Sequence, residues 1–352
     1  MPGPPAAASS QATQPPRRER PPTPPRSRSR SRKGSRLRRA ARPKLRWIWL
    51  YLPIFIVLSL VGVVVWAWMT VNGLHRVELG DAISPATGSA INYLIVGSDS
   101  REGITAATPN AGAIGPGVAG RRSDTIIVLR VDGSSAEMMS IPRDLWVTNA
   151  ATGRSGRINA AYNAGPDNLV RTVTENLGIG INHYIEIDFV SFSSMVDAMG
   201  GVTIDFAHPA HDGRSGLNVT ATGPVRLDGT QALAYVRSRH YTEVVDGRDV
   251  TDPTSDLGRQ QRQQTFIRTV LTSVGETRSP VTAVRLVGAA TDGVRVDTEL
   301  GLGDVWNLAR DLARTQPTSV VLPTTPVTKG RASVLVLSAA EAEPILAQFS
   351  SN

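Results

Sequence analysis

Short apolar runs alternate with amphipathic segments along residues 90–322 of the chain. Runs rich in Val and Ile that end at Gly or Asp-Gly indicate buried strands, while apolar residues three and four apart indicate helices. The predicted strands are Ile91–Val96, Thr125–Val131, Glu137–Ile141, Tyr184–Asp188, Val202–Phe206 and Ser319–Leu322. The predicted helices are Asn168–Leu177, Phe189–Met199, Thr230–Val236, Gln260–Val274, Val281–Ala290 and Leu302–Ala313. Strands that alternate with helices predict an α/β or α+β domain layered around one sheet.

One stretch, residues 47–74, carries no charged side chain. Its apolar core, Trp47–Val71, is 25 residues long, and a bilayer core requires about 20. Tryptophan lies near both of its ends, as is typical of membrane–water interfaces, and a secretory signal has a shorter apolar region. The pattern predicts a single transmembrane helix at residues 47–71, followed by a linker at residues 72–88.

The first 46 residues combine proline pairs with an Arg/Ser alternation and show no apolar periodicity, which predicts a disordered tail. They hold 14 Arg or Lys against the single acid Glu19. Because this basic flank precedes the span, the positive-inside rule predicts a single-pass protein of the cell membrane, with a cytoplasmic tail and an extracellular domain. RNA or DNA binding by the Arg/Ser run is an alternative; we favour a solvated tail that touches anionic lipid.

Charge and composition exclude several classes of function. The formal net charge is +8, but the residues outside the tail hold 24 basic and 29 acidic groups, so the folded part is acidic. A globular nucleic-acid binder carries its basic surface on the fold itself, and we therefore expect no nucleic-acid partner. The absence of cysteine excludes disulfide scaffolds, Cys-ligated zinc, iron–sulfur clusters and thiol nucleophiles.

Polar motifs interrupt the predicted elements at places that apolar packing does not explain. They are Gly97–Arg101, Arg121–Thr125, Ser140–Asp144, and Tyr235–His240 with Gly258–Gln264 downstream. The first and third directly follow predicted strands, where open α/β sheets bind ligands. Arg259 and Gln263 are four residues apart and so share one face of a helix. Each motif alone is also explained by a turn, a loop cap or solvated helix charge.

Taken together, these motifs resemble the signature of the LytR–CpsA–Psr family of cell-wall ligases. The matching segments, in family order, are Gly97–Arg101, Arg122–Thr125, Ser140–Asp144, Ile158–Tyr162, Asp188–Val202, Leu227–Arg239 and Asp256–Gln264. The resemblance implies one catalytic domain, residues 89–352, with a central mixed β-sheet flanked by helices in an α/β/α arrangement.

The resemblance also implies an activity. Members of the family transfer a glycosyl-phosphate polymer from a polyprenyl-pyrophosphate carrier to a peptidoglycan hydroxyl, usually O6 of N-acetylmuramic acid. Arabinogalactan, teichoic acid and capsule all remain open as the polymer. A polyprenyl-diphosphate pyrophosphatase that uses water at the same site is the nearest alternative. A membrane-bound transcriptional regulator and a non-catalytic lipid carrier are alternatives of other classes.

Individual residues match the family's functional positions. The positions that match its phosphate-binding side chains are Arg122, Arg143, Arg237, Arg239, Arg259 and Gln263, with Gln260 as a neighbouring candidate. Guanidinium groups suit diphosphate because they donate two hydrogen bonds in one plane. Asp99 and Asp124 match the carboxylates that hold Mg²⁺, a hard cation that binds one or two carboxylates together with substrate phosphates. Asp99, Asp124 and Arg143 are the expected catalytic residues, with Asp99 the candidate base.

The family houses the lipid of its substrate in an apolar tunnel. Candidate lining residues are Phe189, Phe192, Met195, Val196, Phe266, Ile267, Val270 and Leu271, although plain core packing explains the same helical spacing. Two stretches depart from the family pattern. Residues 104–120 are rich in Gly, Ala and Pro and are expected to form a mobile loop, and residues 241–255 are longer than the usual link. Both flank the predicted site.

Overall fold

The computed structural model describes residues 62, 65, 69, 70, 72–98, 123–133, 135–254, 256–276, 280–291 and 293–350. The predicted tail, almost all of the predicted membrane span and the predicted loop at residues 104–120 lie outside this set. Within the described residues, no helix combines the length and the apolar character that crossing a bilayer requires.

From His75 onward, the described residues form seventeen strands and seven α-helices. The strands are β1 (His75–Val77), β2 (Ile91–Ser98), β3 (Ser123–Asp132), β4 (Ser135–Ile141), β5 (Trp146–Thr148), β6 (Ser155–Arg157), β7 (His183–Asp188), β8 (Val202–Phe206), β9 (Ala210–Asp212), β10 (Leu217–Val219), β11 (Gly223–Leu227), β12 (Thr242–Val245), β13 (Arg248–Thr251), β14 (Val294–Asp297), β15 (Thr318–Val321), β16 (Thr324–Lys329) and β17 (Ala332–Leu337). The helices are α1 (Pro166–Leu177), α2 (Phe189–Ala198), α3 (Gly229–Arg237), α4 (Asp256–Glu276), α5 (Pro280–Thr291), α6 (Leu302–Leu312) and α7 (Ala339–Ser350). Two 3₁₀ helices span Gly80–Ala82 and Ile158–Ala164.

Seven strands form the central sheet in the order β1-β14-β7-β2-β3-β4-β15. Strands β2, β3 and β4 pair antiparallel, whereas β2 pairs parallel with β7 and β4 pairs parallel with β15. The sheet is therefore mixed, as predicted. Five of the six predicted strands lie in it, and the sixth, Val202–Phe206, pairs instead with β11.

Both faces of the sheet are buried, because side chains of successive strand residues point to opposite sides. Leu94 and Val96 of β2 pack with α1 and α7 on one face. Tyr93 and Ile95 pack on the other, against residues of α2, α4, α5 and α6. The alternation explains why β2 and β3 are almost continuously apolar, and it gives the layered α/β arrangement that the sequence predicts.

A second lobe follows the sheet in the chain. It contains the hairpin of β8 and β11 and a four-stranded sheet in the order β10-β9-β12-β13. Its own apolar core includes Ile204, Phe206, Tyr235 and Phe266. The long link predicted at residues 241–255 forms strands β12 and β13 of this lobe, so this departure from the family pattern is an ordered hairpin.

The predicted linker at residues 72–88 is in part integral to the fold. Strand β1 pairs parallel with β14 at the edge of the central sheet, and Leu79 and Ala82 are buried in the core. Residues 75–82 therefore contribute to the sheet and its core ahead of the predicted domain start at residue 89. A three-residue strand carries too little pattern to be recognised, and its partner lies more than 200 residues away in the chain.

The last helix, α7, closes one face of the sheet. The Phe349 side chain is fully buried, and its carbonyl accepts hydrogen bonds from Asn92 Nδ2 at 2.9 Å and Arg130 Nη1 at 3.4 Å. We expect Phe349→Ala to lower the free energy of unfolding by about 3–5 kcal/mol, because it leaves a cavity while the carbonyl stays in place. Urea unfolding followed by circular dichroism measures this, with the exposed Glu343→Ala in the same helix as control. A cost below about 1 kcal/mol would contradict the packing role.

Candidate functional site

A cavity of about 310 Å³ lies between the central sheet and the second lobe. Its wall contains Thr125, Phe189, Asp212, Arg214, Ser215, Val236, Arg237, Arg239, His240, Arg259 and Gln263. Four of these eleven residues are arginines, which come from three separate segments of the chain. A cavity of this size with convergent cationic groups suits a ligand rich in anionic oxygens.

Helix ends place most of these cations. Arg237 is the last residue of α3. The backbone becomes extended at Ser238, the residue that caps the helix, and Arg239 follows directly. The Arg237 guanidinium carbon lies 4.8 Å from the centre of the Phe189 ring, a cation–π contact. Arg259 and Gln263 come from the first turns of α4, one helical turn apart, and both are buried.

Asp212 holds the turn that carries Arg237 and Arg239. Its Oδ2 accepts hydrogen bonds from Ser238 Oγ at 2.7 Å and from the backbone N–H groups of Arg239 and His240, each at 3.0 Å. Its Oδ1 accepts from the backbone N–H of Arg214 at 2.9 Å. One buried carboxylate therefore ties together the two loops that bring Arg214, Arg237 and Arg239 to the cavity.

Arg262 fastens the same turn to α4. It donates from Nη2 to the Ser238 carbonyl and from Nη1 to Asp252 Oδ2, each at 2.9 Å, and it stacks over the Tyr241 ring at 4.5 Å. The turn is thus held by a carboxylate on its N–H side and by a guanidinium on its carbonyl side.

Hydrogen bonding decides the charge state of Asp212. Burial alone raises the pKa of a carboxyl, but the donors from Ser238, His240, Arg214 and Ser215 outweigh burial and lower the pKa of Asp212 to about 2. The group is therefore a carboxylate at neutral pH.

A second cavity, of about 390 Å³, contains Arg143. The other lining residues are Asp144, Arg157, Asn159, Ala160 and Asn163. Asp144 lies between the two guanidinium groups, 3.4 Å from Arg143 Nε and 3.1 Å from Arg157 Nε. Arg143 is thus grouped with this second cavity and not with the arginines of the first.

A β-bulge interrupts the shared end of β2 and β3, next to Thr125 of the first cavity. The strand register shifts there, so that Gly97 pairs with Thr125 and Ser98 with Ser123, and Asp124 is the extra residue of a β-bulge. Asp99 and Arg122 lie outside the described residues, as does the side chain of Asp124. The backbone nevertheless places position 124 beside Ser98, the residue that precedes Asp99.

A buried acid lies beneath this strand end. Glu186 accepts hydrogen bonds from Tyr162 Oη at 2.5 Å and Tyr184 Oη at 3.0 Å, and Tyr162 Oη also lies 3.4 Å from Ser98 Oγ. Burial, followed by the nearby Glu186, raises the pKa of both tyrosines above its usual range, so they remain donors at neutral pH.

The structure therefore groups the predicted site residues unevenly. Arg237, Arg239, Arg259 and Gln263 line the first cavity, Arg143 lines the second, and Gln260 is not among the lining residues of either. Sequence reasoning did not single out Asp212, Arg214, Arg157 or Asn163 as site residues. The only local signal for Asp212 was the turn sequence His211-Asp212-Gly213, which is common in loops.

Seven of the eight candidate lipid-lining residues belong to an apolar core cluster or pack against one; Leu271 is the exception. Phe266 is 1% exposed and contacts Phe192 with ring centres 5.2 Å apart. Val196 is buried in the lobe core, while Met195 and Ile267 pack against the core of the central sheet. Phe189 alone reaches the first cavity.

Comparison with known proteins decides the family. The family model described as LytR_cpsA_psr matches residues 71–349. The chain belongs to the LytR–CpsA–Psr family. The resemblance seen in the sequence motifs is thereby confirmed, and the match begins before residue 89, in agreement with the position of β1.

Two curated members of the LytR–CpsA–Psr family are similar in sequence. The probable cell wall biosynthesis protein LcpB of Corynebacterium glutamicum is 35% identical over 260 residues, which are 72% of this chain and 58% of that protein. The polyisoprenyl-teichoic acid–peptidoglycan teichoic acid transferase TagU of Oceanobacillus iheyensis is 30% identical over 220 residues, 60% of each chain. The chain spans about three fifths of the length of these relatives.

Solved structures of the LytR–CpsA–Psr family share the fold. The LytR-Csp2A-Psr enzyme from Actinomyces oris has a TM-score of 0.63 and 27% identity, over 79% of this chain and 96% of that one. TagT bound to LIIa-WTA has a TM-score of 0.57 and 20% identity, over 78% and 98% of the respective chains. The mixed sheet with helices on both faces is therefore the family's architecture.

We expect Asp212→Asn to destabilise the protein in a pH-dependent way. Because folding lowers the pKa from 3.8 to about 2, the carboxylate contributes about 2 kcal/mol above pH 4. That contribution disappears as the pH falls through 2. Urea unfolding at pH 6 and pH 2.5 measures it, with the exposed Asp205→Asn as control. Equal effects of Asp212→Asn at both pH values would contradict the assigned hydrogen bonds.

Proposed function

We propose that this protein transfers a glycosyl-phosphate polymer from a polyprenyl-pyrophosphate carrier to a hydroxyl group of peptidoglycan. The observation that carries the proposal is the convergence of Arg214, Arg237, Arg239 and Arg259 on one cavity. A pyrophosphate diester carries anionic oxygens on two adjacent phosphorus atoms, which several guanidinium groups can bind at once. The names of the relatives, a cell wall biosynthesis protein and a teichoic acid transferase, agree with this substrate class.

The proposed reaction is a displacement at the phosphorus that bears the sugar. The acceptor oxygen forms a new bond to this phosphorus, and the bond to the oxygen that bridges the two phosphorus atoms breaks. Polyprenyl phosphate leaves with that oxygen, and the proton of the acceptor hydroxyl passes to a carboxylate, for which Asp99 is the candidate. Arginines of the cavity stabilise the negative charge that accumulates on the leaving phosphate.

The donor set at the strand end suits Mg²⁺. Asp99 and Asp124 supply carboxylate oxygens, and the bulge places position 124 beside the residue that precedes Asp99. When bound, Mg²⁺ would neutralise charge on the transferred phosphoryl group. Arg143, anchored near the same strand end by Asp144, would orient that group from the other side.

We also propose the membrane topology. The uncharged stretch at residues 47–71 would anchor the chain, with residues 1–46 in the cytoplasm and the described domain outside. The lipid of the donor would then stay in the bilayer while its pyrophosphate enters the first cavity. An external placement is consistent with a peptidoglycan acceptor.

We expect the full chain in detergent to release polyprenyl phosphate from a polyprenyl-pyrophosphoryl sugar polymer when peptidoglycan is present. Asp99→Ala, Arg143→Ala and Arg237→Ala should each lower kcat/KM at least about 100-fold. They remove, respectively, the candidate base and metal ligand, the arginine that orients the transferred phosphoryl group, and a cation that stabilises the leaving phosphate. The control is Arg248→Ala, an exposed arginine of β13 outside both cavities. Release of labelled polymer as a free phosphate, with none on peptidoglycan, would indicate the pyrophosphatase instead.

Removal of Mg²⁺ should abolish turnover and also change stability. Saturation of one site by a ligand at about 100 times its Kd raises the free energy of unfolding by about 2.7 kcal/mol. We expect this increase in the wild type and in Asp246→Asn, an exposed control, and its loss in Asp99→Asn and Asp124→Asn. Thermal unfolding with MgCl₂ or EDTA measures it. A wild-type Tm that does not respond to Mg²⁺ would argue against the metal.

A further inference from the structure

The second cavity differs from the first in its chemistry. Its wall combines two arginines with the Asp144 carboxylate and the side-chain amides of Asn159 and Asn163. Amides both donate and accept hydrogen bonds, whereas guanidinium groups only donate. Phosphate oxygens accept, but sugar hydroxyl and acetamido groups do both. The mixed wall therefore suits a sugar, and the arginine-rich wall of the first cavity suits phosphate.

The two cavities are lined by elements on opposite faces of the central sheet. Thr125, which lines the first, points to the same face of β3 as Ile127, the face covered by α2 and α6. The second lies at the 3₁₀ helix Ile158–Ala164, which packs on the other face with Leu94 and Val96. Tyr162 of that helix reaches Ser98 at the end of β2. Both cavities thus flank the strand end where the proposed chemistry takes place.

Contacts among three segments of the chain hold the wall of the second cavity in place. Arg157 donates from Nη2 to the Ser333 carbonyl at 3.0 Å, and the backbone N–H of Asn159 donates to the Arg143 carbonyl at 3.2 Å. Asp144 pairs with both arginines, so the four side chains Arg143, Asp144, Arg157 and Asn159 carry a net charge of +1. Low net charge favours a neutral or singly anionic ligand over a diphosphate.

We infer that the second cavity binds the acceptor, a peptidoglycan-type sugar chain that presents hydroxyl and acetamido groups. The part of the chain that enters the cavity carries no more than one carboxylate. The inference rests on the proposed function. In a displacement at phosphorus, the attacking and leaving oxygens lie roughly in line on opposite sides. An acceptor that approaches the end of β2 and β3 from one face of the sheet, with the diphosphate held on the other face, meets this requirement.

The test uses the full chain in detergent with a soluble peptidoglycan glycan fragment as probe. Asn163 is exposed, and its side chain makes no hydrogen bond to any residue in the described part of the chain. Asn163→Ala and Arg157→Ala should each weaken fragment binding about tenfold, since each removes one or two hydrogen bonds to the sugar. Arg154→Ala, an exposed arginine three residues before Arg157 and outside the cavity, is the matched control and should bind as the wild type does. Isothermal titration gives the Kd.

The same variants are then assayed for transfer, which separates this inference from the proposed function. A raised KM for the fragment, with binding of the pyrophosphate donor unchanged, supports the acceptor site. Fragment binding that is absent in the wild type, or equal in the wild type and both cavity variants, overturns it. A wild type that binds the fragment through Asn163 but never cleaves the donor leaves the sugar site standing and refutes the transferase.

Discussion

Four guanidinium groups around one cavity repel one another, and the rest of the site depends on how the fold holds them together. Asp212 provides the main restraint by accepting backbone N–H groups from the loops that carry Arg214 and Arg239. Its oxygens are directed to those N–H groups and to the Ser238 hydroxyl, so the negative charge lies beneath the cationic wall. Arg262 completes the restraint from the carbonyl side of the same turn. The binding wall is thus built by backbone hydrogen bonds to two buried charges, an arrangement that preorganises cations for an anionic ligand.

Periodicity predicted the fold well where an element buries one face along its whole length. Strands β2, β3 and β4 and helices α1 and α6 fall within about two residues of their predicted ends. The short strands of the second lobe were not predicted, because three- or four-residue segments such as β9 and β13 carry too little alternation. Their stability comes from partners that are distant in the chain. Strand β1 was not predicted either, because it has three residues and its parallel partner β14 is distant in the chain.

The site was predictable only where residues form recognisable motifs. Arg237 and Arg239 lie on one turn, and Arg259 and Gln263 share a helix face, so local spacing was enough to group them. Asp212 could not be found in this way, since its role depends on a hydrogen bond to Ser238, 26 residues away. The sequence also could not show that Arg143 lies apart from the arginines of the first cavity. The structure assigns Arg143 to a different cavity, because its loop is fastened to the 3₁₀ helix on the opposite face.

Two helices join the sheet to the lobe, and this determines how firmly the first cavity keeps its shape. On α2, Met195 packs against the core of the sheet and its neighbour Val196 lies in the core of the lobe. On α4, Ile267 packs against the core of the sheet, and its neighbour Phe266 lies in the core of the lobe. Neighbouring residues of one helix cannot move apart, so the lobe cannot shift against the sheet without opening one of the two cores. Thr125 belongs to the sheet, and the arginines belong to the lobe and α4. The packing of α2 and α4 against both cores therefore keeps the two walls of the cavity at a fixed distance.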